Sequence, residues 1–235
     1  MNFDPNFDYR SDAKGKDPDK HSPTMRLHHQ YFWSKPLPSG QLFQLELDPA
    51  GYLSHKSALG EFSLSSDTIS NSLRHQKRMS PIVSQVPREQ LDAFQALGAT
   101  PGAITLFPGN KVDGGLTINV ARGFNSRIGD RIDLTLECIR RHYIGETSPL
   151  SETLKRYSSF FGLFGSFEGY SEFFLFQDLV SGESIKFFLP FDGTFSRKAN
   201  PRDLAEYHQY MDATMNFVEA RRLRIGSSLN DLVQD

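Results

Sequence analysis

The segment Ile128–Tyr143 (IGDRIDLTLECIRRHY) constrains the fold more than any other stretch, because its apolar and charged residues separate at the helical period. At 100° per residue, Ile128, Ile132, Leu136, Ile139 and Tyr143 fall within an arc of about 80°. Asp130, Asp133, Glu137, Arg140 and Arg141 occupy a separate arc of about 100°. One side of this helix faces a core and the other carries charge. Just upstream, Thr117–Asn125 (TINVARGFN) adds Asn119, Arg122 and Asn125, so polar groups able to hold a ligand are concentrated in one short part of the chain.

With 235 residues and 38% hydrophobic content, the chain is long enough to bury a sizeable core in one domain. Residues 1–22, rich in Asp, Lys, Pro and Ser, are expected to lie as an extended arm anchored by Phe3, Phe7 and Tyr9, with a single α+β domain over 23–235. A net charge of −2 argues against non-specific binding of long nucleic acid as the main activity. Cys138 is the only cysteine, which excludes an intrachain disulfide and suits a reducing compartment. It reads as a buried structural thiol, since a nucleophile needs a base and an activating environment. No basic and apolar leader opens the sequence, and the longest apolar runs are too short to span a bilayer, so a cytoplasmic protein without membrane contact is expected.

Ser22-Pro23 signals a helix start and predicts a helix over Met25–Trp33, ended by the proline-glycine turn Lys35–Gly40. Leu42–Leu47 and Glu61–Ser65 alternate, and Tyr52–His55 follows a Pro-Ala-Gly turn; together they predict an antiparallel meander. Ser66 or Asp67 can cap a helix running to about Met79, Pro87 can open another through Leu97, and Ala103–Phe107 reads as a buried strand. Ser148-Pro149 restarts helices that continue to Val180, Ile185–Phe191 reads as a strand, and Asn200–Asp203 opens a final helix. Early strands and late helices indicate an α+β fold, a small antiparallel sheet packed against several helices.

The charged arc has a plain structural reading, a solvated or ion-paired face, since Glu137 can pair with Arg140 and Arg141. The functional reading turns those arginines toward Arg122 and Asn119 for bidentate capture of phosphate or carboxylate. Lys35 and Asn125 complete the expected ligand-binding set of Lys35, Asn119, Arg122, Asn125, Arg140 and Arg141, with Glu137 or His29 available for proton transfer. The seven histidines form no HExxH pattern, and no metal site or cofactor is assigned. Two basic runs, Arg74–Arg78 and Arg221–Arg224, read as solvated helix faces or phosphate contacts. Of the 20 phenylalanines many cluster between Phe160 and Phe195, as core filling or as an apolar surface.

Several motifs occur together: Trp33–Gly40, Leu64-Ser65-Ser66-Asp67, Phe107-Pro108-Gly109-Asn110, Thr117-Ile118-Asn119 with Ala121-Arg122-Gly123, Asp130-Arg131 with Asp133–Tyr143, and Ser148-Pro149-Leu150. Over nearly the whole chain this combination resembles a widespread family of bacterial proteins classed only as a domain of unknown function. The resemblance implies a bacterial source and one full-length domain, and it brings no activity, ligand or catalytic residue. Gly129 stands where a small capping residue such as Ser is expected. Two functions follow from the residues. In the first, the six ligand groups converge on an anionic site for a phosphorylated ligand such as a nucleotide or RNA. In the second, a non-catalytic interaction or regulatory module meets a protein partner through the Phe-rich surface and the basic C-terminal helix.

Overall fold

The computed structural model describes residues 3–47 and 53–232. Capping chemistry sets its first helices: Asp17 and Ser22 each precede a proline, and α1 (Pro18–His21) and α2 (Pro23–Trp33) begin there. The Ser22 hydroxyl accepts the Met25 amide at 3.0 Å. A short hairpin of β1 (Lys35–Pro36) and β2 (Leu42–Phe43) follows, turned by Gly40 at φ +82°. Next come β3 (Glu46–Leu47), β4 (Leu53–Ser57) and β5 (Gly60–Thr68), which pair antiparallel in sequence order. The alternating run Leu42–Leu47 is therefore split between two sheets. The expected Pro-Ala-Gly turn and Tyr52 lie outside the described residues.

Two helices, α3 (Ser80–Val83) and α4 (Arg88–Leu97), separate β5 from β6 (Ile104–Pro108), the fourth strand of the sheet. Helices α5 (Ile118–Phe124), α6 (Ile132–Tyr143), α7 (Ser151–Arg156), α8 (Ser158–Gly162) and α9 (Phe167–Phe173) follow. A hairpin of β7 (Val180–Ser181) and β8 (Ser184–Ile185) precedes the long α10 (Leu204–Leu232). The fold is α+β, a small antiparallel sheet with helices around it. Among the described residues no helix is long and apolar enough to cross a membrane.

Three expectations from the sequence are corrected. Ser66 and Asp67 open no helix: Ser65–Thr68 pair with Phe107–Ile104 on β6, and helical structure resumes only at Lys77. A cap signal contributes only about 1 kcal/mol to a helix, and a partner strand can outweigh it. The strand expected over Ile185–Phe191 stops at Ile185, because the Phe188 amide donates to the Asp133 carboxylate at 2.9 Å and Pro190 has no amide to give. Helix α6 begins at Ile132, four residues late, since Gly129 (φ +57°) and Asp130 (φ +64°) take left-handed conformations that no α-helix accommodates.

Phe62, Leu64 and Leu106 on one face of the sheet and Phe107 on the other are buried in one core with Ile132, Leu136 and Ile139 of α6 and Tyr210, Phe217 and Val218 of α10. Phe160, Phe161, Phe164, Phe167, Phe173, Phe174, Phe176, Phe188 and Phe195 are buried there, so the phenylalanine-rich segment fills the interior. In the N-terminal segment Phe3 packs on Phe32 of this core, and Tyr9 is buried in a second cluster with Phe7, Met25 and Ile104.

Arg221 of α10 locks this arrangement. Its guanidinium is wholly buried and donates to the carbonyls of Gly102 (2.8 Å), Ile104 (2.9 Å) and Phe174 (3.0 and 3.1 Å). Burial pushes its pKa down to about 9. Lysine at this position keeps the charge but not the planar fork that reaches three carbonyls. We expect Arg221→Lys to lower stability by about 2 kcal/mol or more, measured as a shift of the urea midpoint; an unchanged midpoint removes Arg221 from this role.

Candidate functional site

Thr117 caps α5, and the helix it starts carries Arg122 into the interior, where the side chain is fully buried. Nε donates to Thr135 Oγ1 at 3.1 Å and Nη2 to the Asp130 carbonyl at 2.8 Å. Nη1 pairs with the Asp67 carboxylate and with Asp130 Oδ1 at 3.0 Å. Asp67 arrives from β5, opposite Thr105 of β6, and Asp130 from the left-handed turn before α6. Asn71 holds the other Asp130 oxygen through Nδ2 at 2.8 Å. Burial alone would lower the Arg122 pKa, but the charges of Asp67 and Asp130 outweigh it and hold the guanidinium cationic. Burial raises the Asp67 carboxyl against the pull of Arg122, and the negative Asp130 adds to the rise. Arg122, expected to bind ligand, thus spends its donors on protein groups.

The other expected ligand groups have partners in separate neighbourhoods. Arg140 and Arg141 both clasp Glu137 (2.8 and 2.7 Å), and Arg141 also reaches the Gly193 carbonyl at 2.5 Å. Asn125 donates to the Pro149 carbonyl at 3.3 Å. Asn119 donates to Ser65 Oγ (3.2 Å) and the Ser66 carbonyl (3.1 Å), leaving its buried Oδ1 without a partner. Lys35 lies over the rings of Trp33 and Phe173. The charged arc of α6 is ion-paired, and two of its acids are buried: Asp133 pairs with Arg131 inside the protein, and Glu137 is nearly enclosed.

Neither group expected to move protons is placed to do so. Trp33 donates its indole N–H to Nδ1 of His29 at 3.1 Å, which fixes the imidazole proton on Nε2, facing Ser66 Oγ at 2.7 Å. A ring protonated on that side cannot take the serine proton. Burial, with lesser contributions from His28 and Arg221, pushes the His29 pKa down to about 3. For Glu137, burial would raise the carboxyl, but hydrogen bonds from Arg140 and Arg141 outweigh it and hold the group ionised. Cys138 is buried and its thiol is pushed up to about 12, which leaves it inert.

A cleft of about 810 Å³ opens beside β5, with Asp67 of the Arg122 tie in its lining. One wall is Ser66–Thr68 and Ser70–Ser72, a second is the end of α4 with Gln95 and Gly98, and the third is the N-terminal segment with Tyr9, Asp17 and Asp19. Asp19 accepts the Ser66 amide at 3.0 Å; burial raises its carboxyl despite the hydrogen bonds from Ser66. Arg74 and His75 stand at the exposed mouth, where Arg74 meets Gln95 at 3.3 Å and Asp92 only at 4.0 Å. Thr68 Oγ1 ties the walls together by donating to the Gly98 carbonyl at 3.1 Å. At Gly98 a Cβ would stand 2.3 Å from Ser70 Oγ, so the close approach there requires glycine.

None of the six expected ligand residues lines this cleft. Of the residues that do, Ser66 and Asp67 stand out in the sequence as cap or motif residues and Arg74 as part of a basic run, while Asp19 and Asn71 carry no such signal. Their meeting depends on strand pairing between β5 and β6 and on where the segment Tyr9–Asp19 docks.

A family model described as "Family of unknown function (DUF6994)" matches residues 3–225, and the chain belongs to that family. No curated protein and no solved structure matches it.

Two measurements check the roles assigned above. Arg122→Met leaves Asp67 and Asp130 without their cation and is expected to cost about 3–5 kcal/mol of stability, part of which Asp67→Asn restores in the double variant. The His29 pKa in the folded chain lies below its ordinary 6.5, so the unfolded chain binds more protons between those values. Stability contributed by neutral His29 is therefore present above pH 6.5 and lost as the pH falls toward 3, at up to about 1.4 kcal/mol per pH unit. His29→Gln should flatten that limb of the stability profile.

Proposed function

We propose, from membership of a family that brings no activity with it, that this chain binds a phosphorylated, hydroxyl-bearing small molecule such as a nucleotide in the cleft between β5, α4 and the N-terminal segment. The observation that carries this reading is the set of carboxylate, hydroxyl and amide side chains that line the cleft beside an apolar patch. Two carboxylates raised by burial, Asp19 and Asp67, share the walls with the short side chains of Ser66, Thr68, Ser70, Asn71 and Ser72. Such groups match sugar hydroxyls, each of which donates one hydrogen bond and accepts others. Phe94, Met25 and Ile104 add apolar surface for a flat ring, and Arg74 with His75 supplies positive charge where a phosphate would reach solvent.

The size of the cleft favours a nucleotide or sugar phosphate over RNA, since small-ligand sites range over about 300–1,000 Å³. The alternative reading, an interaction module, rested on a phenylalanine-rich surface, and those side chains are largely inside the core. Nothing in the cleft requires turnover: Ser66 faces a histidine that cannot serve as its base.

The test is thermal shift and calorimetry with nucleotides and sugar phosphates, using wild-type protein and the surface variants Arg74→Ala and Gln95→Ala. A ligand at 100 times its Kd should stabilise wild type by about 2.7 kcal/mol. Arg74→Ala should weaken it by roughly tenfold, or about 1.4 kcal/mol, without changing the melting of the free protein. No response to any phosphorylated compound, or an equal response in both variants, removes the reading.

A further inference from the structure

Among the described residues six arginines are exposed, and four of them, Arg10, Arg74, Arg88 and Arg202, have a carboxylate within 4.0 Å. Arg78 and Arg127 have none there, and the fold brings their two segments together. Arg78 donates through Nη2 to Asn200 Oδ1 at 3.1 Å, and Asn200 in turn donates to Gln76 Oε1 at 2.7 Å. One residue earlier the Ala199 amide donates to the Ser126 carbonyl at 3.0 Å, and the buried Arg131 donates to the Ala199 carbonyl at 3.0 Å. The segments Gln76–Arg78, Ser126–Arg131 and Arg197–Asn200 are thus stitched side by side. Lys77 and Lys198 are exposed on these segments and pair with no carboxylate among the described residues.

The carboxylates nearby are mostly engaged. Glu206 is shared by Arg197 and Arg202, Asp130 turns inward to Arg122, and Asp133 is buried with Arg131. Asp203 accepts the Glu206 amide at the start of α10, and Asp192 accepts the Thr194 amide at 2.8 Å and the Ser196 hydroxyl. Lys77, Arg78, Arg127, Arg197, Lys198 and Arg202 therefore outnumber Asp192, Asp203 and Glu206 two to one, in a chain whose net charge is −2. Three residues before Arg127 stands Phe124, the last residue of α5, which at 82% is the most exposed of the large hydrophobic residues described. Val120, one turn earlier on α5, is exposed as well, so an apolar face borders the cations.

We infer that this surface binds single-stranded nucleic acid, with phosphates on Lys77, Arg78, Arg127 and Lys198 and a base stacked on Phe124. A guanidinium presents paired N–H donors that match a phosphate, and the two lysines add point charges. An acidic protein segment would use the cations but has no need of an exposed ring, whereas an unpaired base has a π-face to lay on it. A duplex keeps those faces in its stack, which selects the single strand. The net charge of −2 does not oppose this, since at physiological salt exposed charges more than about 8 Å apart are largely screened. None of these five residues lines the cleft, so the surface is separate from the proposed nucleotide site.

The experiment is fluorescence anisotropy with a labelled oligouridylate of about twelve nucleotides, titrated at several salt concentrations. Four phosphate contacts predict a log–log salt slope of about −2.8, which weakens binding roughly fiftyfold between about 50 and 200 mM salt. The double variant Arg127→Ala/Lys198→Ala should halve that slope to about −1.4. Phe124→Ala should weaken binding roughly tenfold and leave the slope unchanged. All three side chains are exposed, so the melting temperature of each variant should match wild type. Absence of binding at low salt, or a slope that the double variant leaves unchanged, overturns the inference. Polyglutamate that competes as well as the RNA, with no effect of Phe124→Ala, overturns it in favour of an acidic protein partner. Arg74→Ala separates the two sites: loss of oligouridylate binding in that variant, with the double variant unaffected, puts the strand in the cleft and overturns the inference without touching the nucleotide reading.

Discussion

A guanidinium without access to water organises the centre of this protein. Arg122 must have its charge answered inside the core, because an unpaired buried charge costs several kcal/mol. The two carboxylates that answer it come from places far apart in the chain, Asp67 on β5 and Asp130 in the turn before α6. Thr135 of α6 takes another donor. Helix α5 can therefore dock in only one register, and in docking it fixes the strand, the turn and the start of α6 relative to one another. Asp67 serves twice: one oxygen pairs with Arg122 and the other accepts the amide of Thr68, while the residue also lines the cleft. The electrostatic tie of the core is thus part of the wall of the proposed site.

The chain handles buried positive charge in three ways, each with a different chemical consequence. Arg122 and Arg131 are matched by carboxylates, and the charges of Asp67 and Asp130 hold Arg122 cationic. Arg221 is matched by carbonyl dipoles and the faces of Trp33 and Phe176, which leave its charge without a counter-ion, and burial lowers its pKa. Lys35 has two rings and a like charge about it and no carboxylate partner among the described residues, and burial makes it hold its proton less tightly than an ordinary lysine does. A guanidinium starts from a higher pKa than an amine, so Arg221 stays cationic at neutral pH without a counter-charge and can serve as a structural lock.

Local chemistry was legible wherever a residue acts on its own neighbours. Ser22 and Pro23 start α2 as their types require, and Asp203 caps the start of α10 by accepting the Glu206 amide at 2.8 Å. The apolar face of α6 lies in the core, and β5 alternates as read, with Phe62 and Leu64 inward. Legibility failed where a residue has two plausible partners. Asp67 is a good cap by type, and only the presence of β6 beside it makes it a strand residue. Gly129 and Asp130 continue the helical pattern of charge and apolarity, yet their left-handed backbone breaks the helix so that Asp130 can turn to Arg122.

The candidate site was the least legible part. Asn119, Arg122, Asn125, Arg140 and Arg141 crowd together in sequence, but helix geometry and burial send them to different partners, and the cleft is lined by residues from three distant segments. Sequence alone determined the class of the fold, the amphipathic face of α6, the ends of α2 and the start of α10, because helical period and capping act over a few residues. Only the tertiary structure decided which charges are buried, which of them find a counter-charge, and which residues share a cleft, because those depend on groups tens of residues apart meeting in a dry interior where each charge must be answered.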